Sequence, residues 1–194
     1  MTPGQSEHSV ETGSEILQQV CAAASAGDLT SARAVISENW PHDPTAATKR
    51  RYGLADMMAV FRRDGFIDRY SGARLMFPGA LRLIHILLPE EFPFHPNWKS
   101  SETHHAFWSL FPTIDHIVPV ARGGKDEFDN WVSTSQLRNS SKSNWLLEEL
   151  GWTLHPAGAA SEWDGMTHWF SDYVTDHPEN LSDPYVARWF KQVS

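Results

Sequence analysis

The chain has 194 residues, 41% of them hydrophobic with nine Trp and ten Phe, which supplies one sizeable core with helical additions and excludes a disordered chain. Its one cysteine, Cys21, excludes an intramolecular disulfide and a zinc knuckle built from cysteines of this chain alone. A formal net charge of −8 argues against indiscriminate coating of nucleic acid, yet Lys49 to Trp145 holds 13 Lys or Arg against 10 Asp or Glu while the flanks hold 3 against 14, so the centre is the part suited to face a polyanion.

Residues 1–14 read as a flexible polar tail. They contain no apolar core segment, and no run in the chain approaches about 18 apolar residues. Neither a signal peptide nor a membrane span is therefore expected, and with a single cysteine the reading is a reducing, cytoplasmic protein. Ser14 can cap a helix from Glu15 to about Ala26, Gly27 can end it, and Asp28 can cap a second from Leu29 to about Glu38. This predicts a helical hairpin over 15–48, with Cys21 a small core residue in it.

Thr45 to Arg63 has helical spacing, with Leu54, Met57, Met58 and Phe61 forming an apolar stripe. Phe66 to Phe77 predicts a short strand pair turning at Ser71-Gly72, and Ala80 to Glu91 a helix. Pro89, Pro93 and Pro96 then force an irregular crossing before a short helix over about Glu102 to Leu110. Thr113 to Val118 alternates as a strand, Arg122-Gly123-Gly124 supplies a loop, and Asn130 to Ser133 a second strand. A helix capped by Thr134 or Ser135 follows, then one capped by Asn144 and ending near Gly151. Helices over Ser161–Asp176 and Tyr185–Gln192 close the chain, the latter opened by Asp183-Pro184. Trp163, Trp169, Phe170, Trp189 and Phe190 are expected to pack on the central unit. The domain reading is a core over 49–150 with a helical extension over 151–194 packing on it.

Chemistry concentrates in Ile114-Asp115-His116-Ile117-Val118-Pro119, the Arg122-Gly123-Gly124 loop, Asn130 and Asn139-Ser140-Ser141-Lys142-Ser143-Asn144. Each piece is weak alone, but strand, glycine loop, strand and helix can bring four separated positions together. Because successive strand residues point to opposite faces, Asp115 and His116 need a bulge or a strand end to serve one site. Carboxylate, amide and water oxygens suit a hard divalent ion such as Mg²⁺. A neutral imidazole can take a proton from water near neutral pH. Lys142, three residues after Asn139, lies on about the same helical face.

These residues resemble the HNH, or His-Me finger, nuclease family, closely over Asp115–Asn144 and loosely over Tyr52–Asn144. The intervals of fourteen residues from His116 to Asn130 and nine from Asn130 to Asn139 are similar to those in the HNH domains of CRISPR effectors. The resemblance implies an α+β fold, mostly helical around a ββα-metal hairpin-helix core, and a metal-dependent endonuclease that hydrolyses phosphodiester bonds. By it His116 is the general base, Asp115 and Asn139 hold a divalent metal, Mg²⁺ or alternatively Mn²⁺, and Asn130 braces the loop that positions His116. Lys142 and Arg122 are the expected phosphate contacts, with Lys125 and Arg138 weaker candidates. DNA is the expected substrate and RNA the alternative, no membrane partner is expected, and a homodimer would suit double-strand cutting.

Two departures from the family pattern stand out. Many members carry two Cys pairs that bind structural zinc, where this chain has Tyr70-Ser71-Gly72 and Ser135–Asn139, so no structural zinc held by Cys is expected and packing by flanking helices is expected to replace it. Some members place a His where this chain has Ser143, which leaves the metal sphere to water or to another side chain such as His104 or His105. Two other readings keep the fold: a binding module with a degenerate site, and an RNA-cleaving or nonspecific toxin-like nuclease.

Overall fold

The computed structural model describes residues 13–42 and 52–194, and the chain divides into two compact units, Met1–Ala46 and Ala47–Ser194. In the first, α1 (Gly13–Ser25) and α2 (Leu29–Asn39) pack on one another and bury Ile16 and Ala32. Gly27 takes φ +80° at the bend, where a residue with a side chain would be strained. Asp28 caps α2 by accepting the Ser31 N–H at 3.0 Å. Ser14 lies inside α1 rather than capping it. Cys21 is exposed rather than a core residue, because the two short helices leave most of their surface uncovered. Of the tail expected over 1–14, Gly13 and Ser14 belong to α1, while residues 1–12 and the start of the helix expected from Thr45 lie outside the described residues.

In the second unit α3 (Leu54–Arg63) begins after Gly53, whose N–H donates to Asp56 at 2.8 Å. Met58, Val60 and Phe61 are its buried residues, with Leu54 and Met57 against the same core. The expected strand pair over 66–77 shrinks to one antiparallel bridge, Ile67 to Arg74, around a turn at Gly72. Asp68 and Leu75 still donate to the Ala73 and Phe66 carbonyls, but the Arg69 N–H turns to the Ser133 carbonyl and the Tyr70 N–H to the Asp68 carboxylate. α4 (Pro78–Leu87) uses Pro78 at its first position, where the missing N–H costs nothing. After the proline-broken crossing comes α5 (Ala106–Leu110).

Strands β1 (Pro112–His116) and β2 (Trp131–Ser135) pair antiparallel, running in register from Pro112 opposite Ser135 to His116 opposite Trp131. Ser135 accepts the Arg138 N–H at 3.2 Å and so caps α6 (Gln136–Lys142), which packs on both strands. The unit is thus α+β, mostly helical around a small ββα core. A short α7 (Leu147–Leu150) follows Leu146 as its cap residue rather than the expected Asn144, and is closed by Gly151 in the left-handed region. α8 (Thr167–Asp176) starts six residues later than the spacing suggested, after Met166 at φ +69°. In α9 (Pro184–Phe190) Asp183 accepts from the N–H groups of Tyr185 and Val186.

The core gathers Phe61, Phe66, Leu75 and Phe77 against Phe170 and Val174 of α8 and Val186 and Trp189 of α9, so the late helices complete the same core as the hairpin. Phe77 meets Phe170 and Trp189 edge-on with ring centroids 5.1 and 5.3 Å apart. Each such side chain contributes roughly 1.5–3 kcal/mol by leaving water. Among the described residues no helix is long and apolar enough to cross a membrane.

Asp183 also pairs with Arg82 of α4 at 2.8 Å, tying α9 to α4. Partial burial opposes its ionisation, but Arg82 and the two capping N–H groups outweigh it and hold the carboxyl below its usual range. A folded-state value below the unfolded one makes this stabilisation complete above the ordinary carboxylate range, and it is lost as pH falls through the lowered value. Asp183→Ala is expected to cost about 1–2 kcal/mol at neutral pH, read by urea unfolding, with the difference from wild type shrinking in acid. An undiminished difference at low pH would contradict the linkage.

Two buried carboxylates hold the hairpin in addition to the apolar packing of the flanking helices. Asp64, following α3, accepts from the Ser133 N–H at 2.8 Å and the Ser133 hydroxyl at 3.1 Å, while Arg63 and Arg69 neutralise it at 2.9 and 3.0 Å. Asp68 accepts from the Ser135 N–H at 3.1 Å, the Thr134 hydroxyl at 2.9 Å and the Tyr70 N–H at 2.9 Å. Buried charges persist when paired and hydrogen-bonded in this way.

Candidate active site

His116 is the last residue of β1, so of the two expected alternatives, a bulge or a strand end, the strand end is found, two residues before the expected Val118. Asp115 and His116 are both nearly buried. Asp115 Oδ2 accepts from the Tyr70 hydroxyl at 2.8 Å and lies 3.0 Å from Lys142 Nζ. Burial and the Asp115 charge both drive the Tyr70 pKa upward, so the phenol stays protonated and a donor. Tyr70 reaches Asp115 from the turn that carries Asp68, so one turn both anchors β2 and orients the carboxylate.

Lys142 is corrected from its expected place at the substrate phosphate. It is fully buried, its ammonium donates to the His116 carbonyl at 2.7 Å, and its charge is spent on Asp115. Helical spacing placed it on the Asn139 face correctly, but that face is turned toward β1. Asn139 lies partly buried along β1, its Nδ2 donating to Thr113 Oγ1 at 2.9 Å and to the Ile114 carbonyl at 3.3 Å. Among the described residues, Asp115 Oδ1 and Asn139 Oδ1 take no hydrogen bond, which leaves one carboxylate oxygen and one amide oxygen on neighbouring stretches of the core. No group of three His, Cys, Asp or Glu side chains converges there among the described residues. Such a donor set fits a hard divalent ion that keeps much of its water.

Asn130 closes the loop between the strands. Its Oδ1 accepts from the Val118 N–H at 3.0 Å, and its Nδ2 donates to the carbonyls of Val118 at 2.9 Å and Lys125 at 2.8 Å. Gly123 takes φ +86° in this loop, and a Cβ at Gly124 would strike the Val118 carbonyl oxygen. Replacing Asn130 by alanine leaves three backbone groups to water or unpaired. The expected cost is about 1–3 kcal/mol of stability with a roughly 10–100-fold slower reaction, measured by urea unfolding and single-turnover cleavage. An unchanged rate would free the loop from any part in placing His116.

Arg122 stays at the surface, paired with Glu149 of α7 at 2.9 Å. Arg138 lies over the Trp152 ring at 5.1 Å, and Lys125 is exposed. His104 and His105 stack on one another with ring centroids 4.6 Å apart, and His104 also packs on Phe92, within an aromatic cluster that includes Phe94 and Phe107.

Besides Tyr70, two further residues at the site escaped the sequence reading. Asp126, in the loop, lies with its Oδ1 2.8 Å from His116 Nε2, and the Trp131 indole Nε1 lies 3.0 Å from the same oxygen and 3.1 Å from His116 Nε2. Strand alternation could have placed Trp131 opposite His116, but nothing in local spacing singled out Asp126 among Asp126, Glu127 and Asp129.

A hairpin and following helix that bring a histidine at a strand end beside a buried carboxylate and a helix-borne asparagine form a ββα core of the nuclease type. Residues 110–146 match the model of a family described as HNH endonuclease, which supports an HNH assignment for this segment of the chain. Nucleases of this family generally use a divalent metal and act on nucleic acid. No curated protein and no solved structure gives a significant match to the chain.

Proposed function

We propose that this protein is a metal-dependent endonuclease that hydrolyses phosphodiester bonds in DNA, with His116 as general base and Asp115 and Asn139 as the ligands of a divalent metal, Mg²⁺ by preference. The observation that carries the reading is the pairing of a nearly buried His116 at a strand end with two open oxygens, Asp115 Oδ1 and Asn139 Oδ1, inside the segment matched by the family. When bound, the ion neutralises charge on the scissile phosphate and on the departing 3′ oxygen.

His116 takes a proton from water as the water oxygen bonds to phosphorus and the bond from phosphorus to the 3′ oxygen breaks. Tyr70 and Lys142 fix Oδ2 of Asp115, leaving Oδ1 to face the ligand. Asn130 holds the loop so that the ring of His116 stays in place. Arg122, at the surface, can meet a neighbouring phosphate by exchanging Glu149 for it. Contacts of this kind reach the backbone and carry no base information, so sequence preference would come from elements outside the ββα core.

The experiment is digestion of supercoiled and linear DNA and of RNA by the purified chain with Mg²⁺, Mn²⁺ or EDTA. Metal-dependent cutting of DNA that EDTA stops is the expected result. Exclusive cutting of RNA would overturn the DNA assignment, and cutting of neither would favour a binding module.

A further inference from the structure

We propose that Asp126 is a positioning residue that fixes His116 with its proton on Nε2, and thereby assigns the proton-accepting role to Nδ1; this rests on the nuclease reading above. Three polar atoms crowd into one triangle: His116 Nε2 and Asp126 Oδ1 at 2.8 Å, Trp131 Nε1 and Asp126 Oδ1 at 3.0 Å, and Trp131 Nε1 and His116 Nε2 at 3.1 Å. The indole nitrogen is a donor only, and an ionised carboxylate is an acceptor only. If the indole N–H were given to His116 Nε2, that nitrogen would be a bare lone pair facing the carboxylate oxygen at 2.8 Å, two acceptors in repulsive contact. If Nε2 carries the proton, both the imidazole and the indole donate to Asp126 Oδ1 and every polar atom is satisfied.

The surroundings strengthen the preference. The side chains of His116 and Asp126 are only 8% and 15% exposed, so little water is at hand to separate two opposed lone pairs. The triangle is also anchored from outside. Trp131 sits opposite His116 in the strand register and packs edge-on against Tyr52 and Phe128, with ring centroids 5.5 and 6.2 Å apart. Arg63 lies over the Phe128 ring at 4.7 Å and donates to the Trp131 carbonyl at 2.6 Å. The loop bearing Asp126 is tied to β1 through Asn130, whose bonds to Val118 and Lys125 end one residue before Asp126. The geometry gives Asp126 a second service: when Nδ1 accepts the proton from water, the carboxylate already bonded to Nε2 stabilises the imidazolium that forms.

The test reads the proton directly. In protein labelled with ¹⁵N at histidine, long-range ¹H–¹⁵N spectra without metal, at a pH where the ring is neutral, report which nitrogen of His116 is protonated. The expected result is a proton on Nε2 and a bare Nδ1 in the wild type, and finding it on Nδ1 would overturn the proposal with no activity measured. In parallel, Asp126→Asn should slow single-turnover cleavage by at least about tenfold, with little change in the substrate concentration giving half-maximal rate, and Asp126→Glu should recover part of the loss. An Asp126→Asn protein that cuts at the wild-type rate would also overturn the proposal. If Asp126→Asn does not fold, the wild-type spectrum decides the assignment alone. If the wild type cuts no nucleic acid, the nuclease reading fails while the spectrum still decides where the proton sits.

Discussion

His116→Ala is expected to lower the single-turnover rate of metal-dependent cleavage by about 10²–10⁴-fold, the range supplied by a positioned general base. The fold should survive, because Lys142 bonds the backbone carbonyl of residue 116 and the register of β1 on β2 is also a backbone matter. Some local loosening follows, since Asp126 and Trp131 lose the imidazole, and a control of urea unfolding separates that from chemistry. Divalent metal should still bind, because Asp115 and Asn139 are untouched. A variant that cuts like wild type would remove His116 from the role of base. One that neither cuts nor binds metal would show that the side chain holds the site together rather than moving a proton.

Lys142→Met should produce the largest loss of stability from a single substitution near the site, about 3–5 kcal/mol. Methionine keeps most of the side-chain volume, so the loss comes from charge rather than from a cavity. Without the ammonium, the Asp115 carboxylate stays buried with only the Tyr70 hydroxyl, and the His116 carbonyl loses its donor. The midpoint of urea unfolding should fall with an unchanged slope. Combining Lys142→Met with Asp115→Asn should recover part of the loss, since the uncompensated charge is then gone, and the double-mutant cycle gives the coupling. A loss below about 1 kcal/mol would mean that the pair behaves like an exposed salt bridge, contrary to its burial.

Much of the local architecture was legible because local rules and tertiary context agreed. Asp28, Ser135 and Asp183 cap helices where small acceptors precede helical spacing, and Gly27 and Gly151 bend the chain where φ must be positive. The pattern over Thr113 to Val118 and over Asn130 to Ser133 gave both strands to within two residues at each end. Legibility failed where a local pattern met a stronger tertiary demand. Phe66 to Phe77 alternates like a hairpin, yet Asp64 and Asp68 draw its backbone into a turn that serves β2 rather than its own ladder. Asn144 suits a cap, but α7 begins only at Leu147, with Glu149 accepting the Leu146 N–H.

The sequence by itself determined the ββα order and the family resemblance, and it singled out Asp115, His116, Asn130 and Asn139 as candidates, because these depend on residue type and spacing along a short stretch. Tertiary structure alone decided what each side chain touches. A lysine on a helix reads as solvated until a strand is packed over it, and only then is Lys142 seen as the buried partner of Asp115. Asp126 is one of three acidic residues in a loop until the strand register sets Trp131 opposite His116 and the loop folds its carboxylate onto both. Spacing fixes which face a residue occupies, whereas burial and pairing depend on segments as distant as Asp64, Tyr70 and Lys142, whose meeting no local pattern encodes.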